Sequence, residues 1–397
     1  MAAKKSKKTA RRGRGEGTVY LRKDGRWAGS INVESSDGKR KRKYLYGESK
    51  QEAQDKVNTA LYEQKQGMLV TGPQLTVKKY MEYWLEEIHK PTLRLGSYIR
   101  YRTRVNKHIL PTLGHLQLQK LTADHIRMLY AQKTREGLAP ATIRTIHSVL
   151  HKALEDALRA DYVHRNVCDL VSPPRLTRRE SHALTHDQAQ KLLNTAKGHR
   201  IEVLLAVALA TGMREGELLS LRWSDIDFAN SSLSIQRTVS FYPKHGFVEN
   251  EPKTAQGRRR VVLPQIIVEM LKQHQIRQDE RRKELGKRWH EHSLVFPNTI
   301  GKFQSVQHLT TLFDKLIKNA GLPDMHFHDL RHSAATILLS MGIHPKVVQE
   351  LLGHSTISMT MDTYSHVIPS MQQDAMNKWD ILFKDNKEVK DTEDNKK

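Results

Sequence analysis

Five polar side chains gather near the carboxyl end of the sequence: His328, Arg331, His332, His354 and Tyr364 all lie within residues 326–366. Their types suit phosphoryl chemistry. Arginine presents a planar fork that matches phosphate oxygens, and histidine donates to a phosphate or passes it a proton. Tyrosine carries an oxygen that can form a covalent intermediate. His328, Arg331 and His332 stand three and four residues apart in a segment that reads as a helix, so they share one face. Ala334, Ala335, Ile337, Leu338 and Leu339 make the rest of that helix apolar and predict that it is buried. A buried helix that opens with two imidazoles and a guanidinium needs partners for them, because an unpaired buried charge is costly. A phosphate is one natural partner. A lone buried histidine is usually a satisfied core residue, but five polar residues at this spacing are harder to explain that way.

The order His328-x-x-Arg331, then Leu352-Gly353-His354, then Tyr364 resembles the carboxyl-terminal signature of the tyrosine recombinases, the phage-integrase family. That pattern implies an earlier arginine in a Thr-Gly-x-Arg-x-x-Glu setting. The stretch from Thr211 to Glu217 supplies it with Arg214 and Glu217. It also implies a lysine at a strand turn between the two, a place that Lys253 fits. The competing reading of Lys253 is a surface lysine, with Lys244 and the run Arg258–Arg260 as nearby basic alternatives. The resemblance is specific over about residues 180–383 and looser before them.

The resemblance implies a division of labour. Tyr364 is the nucleophile that attacks phosphorus, giving a 3′-phosphotyrosyl link and a free 5′-hydroxyl. Arg214 and Arg331 hold the non-bridging oxygens, with His354 as a further donor. Lys253 protonates the leaving 5′-oxygen, and His328 assists proton transfer around the nucleophile. Glu217 orients Arg214 from one turn away. His332 reads as structural, and His326 has no assigned role. The arginines and lysine supply the charge that other enzymes obtain from Mg²⁺, so no cofactor or metal is expected.

Composition agrees with a polyanionic partner. The formal charge is +23, the isoelectric point is near 9.9, and the excess is spread along the chain. The rival partner, an anionic membrane, finds no apolar run long enough to span a bilayer; residues 201–210 read instead as a buried core helix. The amino terminus has charge but no apolar stretch behind it, unlike a secretory signal. The single cysteine, Cys168, excludes an internal disulfide and fits a reducing cytosol. Neither cysteine pairs nor a His-Glu-x-x-His motif support a zinc site among the 21 histidines.

The elements that must position these residues fall into three predicted domains, with a fold class of multidomain α+β. Residues 1–14 hold seven Lys or Arg and no acid, and read as a disordered basic tail. Residues 15–65 read as three strands, with Asp24-Gly25 as a hairpin turn, and one helix capped by Ser49. Arg22, Arg26, Trp27, Lys41 and Arg42 on that sheet suggest a groove-binding surface, similar to the arm-binding domain of integrases that recognise two kinds of DNA site. The alternative is a capping domain whose basic face only aids solubility. Residues 66–74 read as a linker. Residues 75–172 read as all helix, with Val77, Tyr80, Met81, Trp84, Leu85 and Ile88 as core and Thr122 as a cap. Arg100, Arg102, Arg104 and Lys107 give this unit a basic face, and it resembles the family's core-binding domain, whose cations contact phosphates.

Residues 173–181 read as an extended linker, and 182–383 as a mainly helical catalytic domain with a small antiparallel sheet. A capped helix spans His182 to Lys197, a buried helix stops at Gly212, and Arg214 opens the next. Alternating strands surround turns near Lys244-His245-Gly246 and Ala255-Gln256-Gly257. Helices are expected over Gln265–Leu285 and Ser305–Asn319. The amphipathic segment with Met371, Ala375, Met376, Trp379, Ile381, Leu382 and Phe383 either caps its own core or packs on a neighbouring protomer. Residues 384–397 read as disordered.

These observations predict a site-specific recombinase, the integrase of a phage or conjugative element. Its expected partners are core-type and arm-type duplex sites, a homotetramer on DNA, a host DNA-bending protein and an excision factor, in the bacterial cytosol at the nucleoid. The competing functions are type IB topoisomerase-like nicking and resealing of one duplex, and DNA binding with a silent site.

Overall fold

The computed structural model describes residues 17–34, 40–65, 75–176, 183–252, 255–357 and 376. The chain divides into two compact units, Met1–Arg178 and Arg179–Lys397, in a mixed α+β architecture. The basic tail 1–14, the linker 66–74, the carboxyl-terminal tail and, apart from Met376, the last amphipathic segment lie outside the described residues.

The first unit opens with an antiparallel sheet in the order β1 (Thr18–Leu21), β2 (Trp27–Glu34), β3 (Arg40–Gly47). Gly25 takes φ +81° in the turn after Asp24, a conformation a side chain disfavours. Helix α1 (Lys50–Lys65) is capped by Ser49, whose Oγ accepts the Glu52 N–H at 3.1 Å. It covers one face of the sheet, packing Val57 and Ala60 against Ile31 and Val33.

That packing separates the residues expected to share the sheet. Arg22 and Arg26 stand in the hairpin turn and not on strands: the Arg22 N–H donates to the Arg26 carbonyl, the Gly25 N–H to the Arg22 carbonyl, and the Arg26 N–H to Asp24 Oδ1. Strand alternation places Trp27 on the same side as Ile31 and Val33, where the Lys50 ammonium lies 5.9 Å from its ring centre. Lys41 pairs in register with Val33, while Arg42 pairs with Asn32 on the opposite, open face. Tyr20, Tyr44 and Tyr46 are exposed on that open face, and the Arg22 guanidinium sits 5.3 Å from the Tyr46 ring. Sequence alternation alone does not say which face a helix will cover, so it does not mark these tyrosines as the open side.

The helical part holds a separate apolar cluster. α2 (Val77–Tyr83) continues into a wide π-helical turn, Trp84–His89. α3 (Leu95–Arg104) does the same over Val105–Ile109 before α4 (Leu110–Leu113). Pro111 offers a reason for the second widening, since its ring would clash with the carbonyl four residues back in a regular helix. α5 (Ala123–Arg135) starts with a capping box between Thr122 and His125, and α6 (Pro140–Arg159) starts on a proline. Trp84, Tyr80, Met81, Ile109, Ile126, Ile143 and Ile146 are fully buried between them.

One carboxylate ties this cluster together. Asp156 Oδ2 accepts from Trp84 Nε1 at 2.9 Å and pairs with His89 Nε2 at 3.2 Å, while Oδ1 accepts from Lys152 at 2.7 Å.

In the second unit, α7 (His186–Thr195) begins later than expected. Thr185 accepts from the Gln188 N–H and Gln188 returns the bond, so the cap fixes the start. α8 (Glu202–Thr211) is apolar all round and lies against α7, α10 (Gln265–Leu285) and α12 (Asp329–Ser340). Between them come α9 (Glu215–Leu219) and two small antiparallel sheets. One has the order β4 (Ile226–Asp227), β5 (Ser232–Ile235), β8 (Arg259–Val262); the other is the hairpin of β6 (Thr238–Tyr242) and β7 (Gly246–Asn250). α11 (Val306–Asn319) and α13 (Pro345–Leu352) complete the unit.

Replacing Asp156 with alanine leaves three buried or half-buried donors without their acceptor. The expected loss is about 2–4 kcal/mol of unfolding free energy, read from urea denaturation of the helical unit's tryptophan signal. A loss under about 0.5 kcal/mol would mean that water serves those donors equally well.

Candidate active site

The site is built where α8 stops. Gly212 takes φ +59° there, and a Cβ on it would stand 2.2 Å from Leu352 Cδ2, so a side chain is excluded on two counts. Two residues later, Arg214 is the N-cap of α9. A cation at a helix start opposes the helix dipole. Glu217 relieves this: its Oε2 accepts the Arg214 backbone N–H at 3.0 Å and its Oε1 accepts Arg214 Nη1 at 2.8 Å. Glu217 is buried, while the Arg214 side chain remains 42% exposed and available to a ligand.

A second guanidinium shares the same carboxylate. Arg259 Nη2 donates to Glu217 Oε2 at 3.1 Å, and its Nε donates to the Leu351 carbonyl at 2.7 Å. Burial pushes the Glu217 carboxyl up, but the Arg259 charge and the Arg214 N–H outweigh it and hold it below the usual range. Arg259 itself is enclosed, with a side chain 6% exposed. In the sequence Arg259 stands only as one member of the basic run Arg258–Arg260. Strand parity was the available signal: Arg259 and buried Val261 alternate with exposed Arg258, Arg260 and Val262.

Arg331 is held by backbone. Its Nη1 donates to the Gly212 carbonyl at 2.8 Å and to the Leu352 carbonyl at 2.7 Å. α13 ends at Gly353 with φ +68°, where a Cβ would lie 2.7 Å from the Gln256 carbonyl oxygen and 3.0 Å from Arg259 Nη1. His354 follows, locked by a reciprocal pair with Gln349: the His354 N–H donates to the Gln349 carbonyl, and Gln349 Nε2 donates back, both at 3.1 Å. Leu352-Gly353-His354 is therefore a turn that closes on two arginines.

The imidazoles are kept neutral. Burial, then the charges of Arg331 and Arg214, lower the His354 pKa to about 4. His328 and His332 are lowered too, first by the protein packed round them and then by neighbouring charge; for His328 that includes His332, Arg331 and Arg214. Their rings meet edge to face, with centroids 5.4 Å apart. His328 is the N-cap residue of α12 with helical backbone angles, φ −63° and ψ −25°, and its ring meets His332 one turn on, as the shared helical face predicts; just ahead of the helix the Asp329 carboxylate accepts the His326 N–H at 2.7 Å.

Arg214, Glu217, His328, Arg331 and His354 are thus brought into one electrostatic neighbourhood. Lys253 and Tyr364 lie outside the described residues. Among the described residues, no group of three His, Cys, Asp or Glu side chains is arranged to hold a metal ion, and no helix is long and apolar enough to cross a membrane. In the helical unit, Arg100, Arg102 and Lys107 are exposed. Arg104 turns to α6, where its Nε donates to Thr145 Oγ1 at 3.1 Å. Arg102 lies near the Glu86 carboxylate.

The chain matches the phage integrase family over residues 182–371 and the N-terminal SAM-like domain of phage integrases over 76–134. It is 30% identical over 365 residues to a XerC-like tyrosine recombinase of Caldanaerobacter subterraneus, covering 87% of this chain and 93% of that one. Its fold is similar to the Tn1549 transposon integrase solved with circular intermediate DNA, with a TM-score of 0.64 and 19% identity over 77% of this chain and 99% of that one. It is also similar to a λ integrase tetramer bound to a Holliday junction, with a TM-score of 0.55 and 20% identity over 89% and 96% of the two chains. The chain belongs to the phage integrase family and is a site-specific tyrosine recombinase.

Proposed function

We propose that this recombinase integrates and excises a mobile element by breaking one DNA strand at a time through Tyr364. The phenolic oxygen attacks the scissile phosphorus, the P–O5′ bond breaks, and the 5′-oxygen takes a proton from Lys253. Charge builds on the non-bridging oxygens, where Arg214 and Arg331 neutralise it and neutral His354 donates a hydrogen bond. His328 moves the proton released by the phenol. The phosphotyrosyl bond conserves the energy of the broken linkage, so a 5′-hydroxyl from another duplex can reverse the step without ATP. The supporting observation is the cationic cluster itself. Arg214, Arg331 and His354 come from three distant segments, and their mutual effect on the imidazoles is that of a site awaiting an anion.

In this reading, residues 15–65 engage arm-type DNA and residues 75–172 clamp the core-type duplex, joined by the strap at 173–181 to the catalytic domain, 182–383. The protein works as a homotetramer on DNA, with a DNA-bending protein and an excision factor as accessory partners. The tetrameric λ integrase on a junction supports that assembly.

A nicked suicide duplex carrying the element's end, incubated in EDTA, should trap a protein–DNA adduct that disappears in Tyr364→Phe while specific binding survives. Parallel loss of binding would make the tyrosine structural; no adduct from either protein, with a specific mobility shift, would favour a silent binder. Adduct formation without strand exchange between duplexes would favour topoisomerase-like resealing.

Deleting residues 1–65 should spare cleavage of a short core site and impair integration at full attachment sites. Unchanged integration would remove the arm-binding role.

The histidines also set a pH dependence. An unfolded chain takes up a proton at His354 near the ordinary 6.5, before the folded site does at about 4. Its contribution to stability is therefore complete above that ordinary value and is lost as pH falls toward 4, at up to about 1.4 kcal/mol per pH unit. Urea unfolding between pH 7 and 4.5 should show a shallower decline in His354→Gln than in the unaltered protein. A bound core duplex should flatten the decline as well. Equal slopes in both proteins would mean that His354 does not titrate in this window.

A further inference from the structure

Arg259 is a buried guanidinium beside Glu217 to which the chemistry above gives no task. Its donors are spent on three different segments. Nη2 reaches Glu217 on α9 at 3.1 Å, Nε reaches the Leu351 carbonyl at the end of α13 at 2.7 Å, and Nη1 reaches the Gly257 carbonyl at 3.3 Å, in the turn that precedes β8. Its own backbone is fixed by β8, where Arg259 pairs with Ile235 of β5.

Each of those segments carries a residue of the reaction. Glu217 orients Arg214. Leu351 lies three residues before His354, in a turn whose Gly353 has no room for a side chain against Arg259. Lys253 is six residues before Arg259 on the run of chain that leads into β8.

We infer that Arg259 is a positioning residue for strand cleavage: its guanidinium, spanning Glu217 and the Leu351 carbonyl, sets the Arg214 anchor and the His354 turn in register with one another. The inference rests on the reading of Arg214, His354 and Lys253 as the groups that act on the scissile phosphate. Arg259 itself is enclosed and touches no substrate. Only a planar fork reaches both acceptors at once. A lysine at this place keeps the charge and has three donors, but its compact ammonium on a flexible stem lacks the rigid fork that fixes the spacing between Glu217 and the carbonyl.

The test is single-turnover cleavage of the suicide duplex at saturating DNA, comparing the unaltered protein with Arg259→Lys and Arg259→Ala. The rate constant reports only molecules that are folded and bound, while the amplitude reports how many there are. A displacement of catalytic groups by about an ångström costs on the order of 100-fold in rate. Both variants are expected to lose about that much in rate constant, with dissociation constants for the core duplex within about threefold of the original, because the groups that Arg259 positions act on the phosphate chiefly in the transition state. If Arg259→Ala does not yield folded protein, Arg259→Lys alone carries the test, because it leaves no buried charge uncompensated. A cycle with Glu217→Gln adds a readout that a merely stabilising arginine would not move: the double variant should cleave no more slowly than the slower single one. A rate constant within about threefold of the original in Arg259→Lys, with any loss confined to amplitude, would overturn the inference alone. Strictly additive effects in the cycle would overturn it too. No adduct from the unaltered protein would instead remove the recombinase chemistry, and this inference with it.

Discussion

The second unit depends on a single buried carboxylate shared by two guanidiniums. Glu217 takes Arg214 on one oxygen and Arg259 on the other, and it also satisfies the N–H that starts α9. Removing one partner from such a buried set typically costs about 3–5 kcal/mol, because it strands an uncompensated charge. The geometry has a second effect. A helix start is a poor place for an arginine, yet this arginine must stay there with a side chain open to solvent. The carboxylate one turn on reconciles the two demands. It anchors the inner edge of the Arg214 fork and leaves the outer edge outside.

Much of this arrangement was legible in the sequence, and the reasons are local. Gly212 after an all-apolar run marks a helix end, and Arg214 with Glu217 at i+3 marks a charged cap; both depend on residues within one turn of each other. The strands around Lys244-His245-Gly246 follow from period-2 alternation and turn chemistry, and Gln265–Leu285 falls where expected. What was not legible depends on contacts far apart in sequence. Arg259 is a surface-like residue in a basic run until α13, more than eighty residues later, is known to lie against it. Trp27 belongs to the face covered by α1, and Tyr20, Tyr44 and Tyr46 to the open one, because α1 chose a side that the strand pattern leaves undetermined.

The two units divide the work of holding polar groups differently. In the helical unit the polar centre is Asp156, which collects Trp84, His89 and Lys152. In the second unit the buried polar centre faces a half-exposed arginine and three neutral imidazoles. The first arrangement fixes helices, and the second holds charge ready.

Four of the counter-groups that hold the inner arginines are peptide carbonyls: Gly212 and Leu352 for Arg331, and Leu351 and Gly257 for Arg259. Two of these are the last carbonyls of α13, the negative pole of its helix dipole. A peptide oxygen differs from a carboxylate in two ways that matter beside a nucleic acid. It never takes up a proton in the physiological range, so acidification cannot strip it from its arginine. It also bears only a partial charge, so it steadies a cation without cancelling it, and repels an approaching polyanion far less than an aspartate would. The left-handed turn at Gly353 thereby lets the chain concentrate positive charge at depth using its own backbone as insulation, with the Glu217 carboxylate bonded to Arg214 and Arg259.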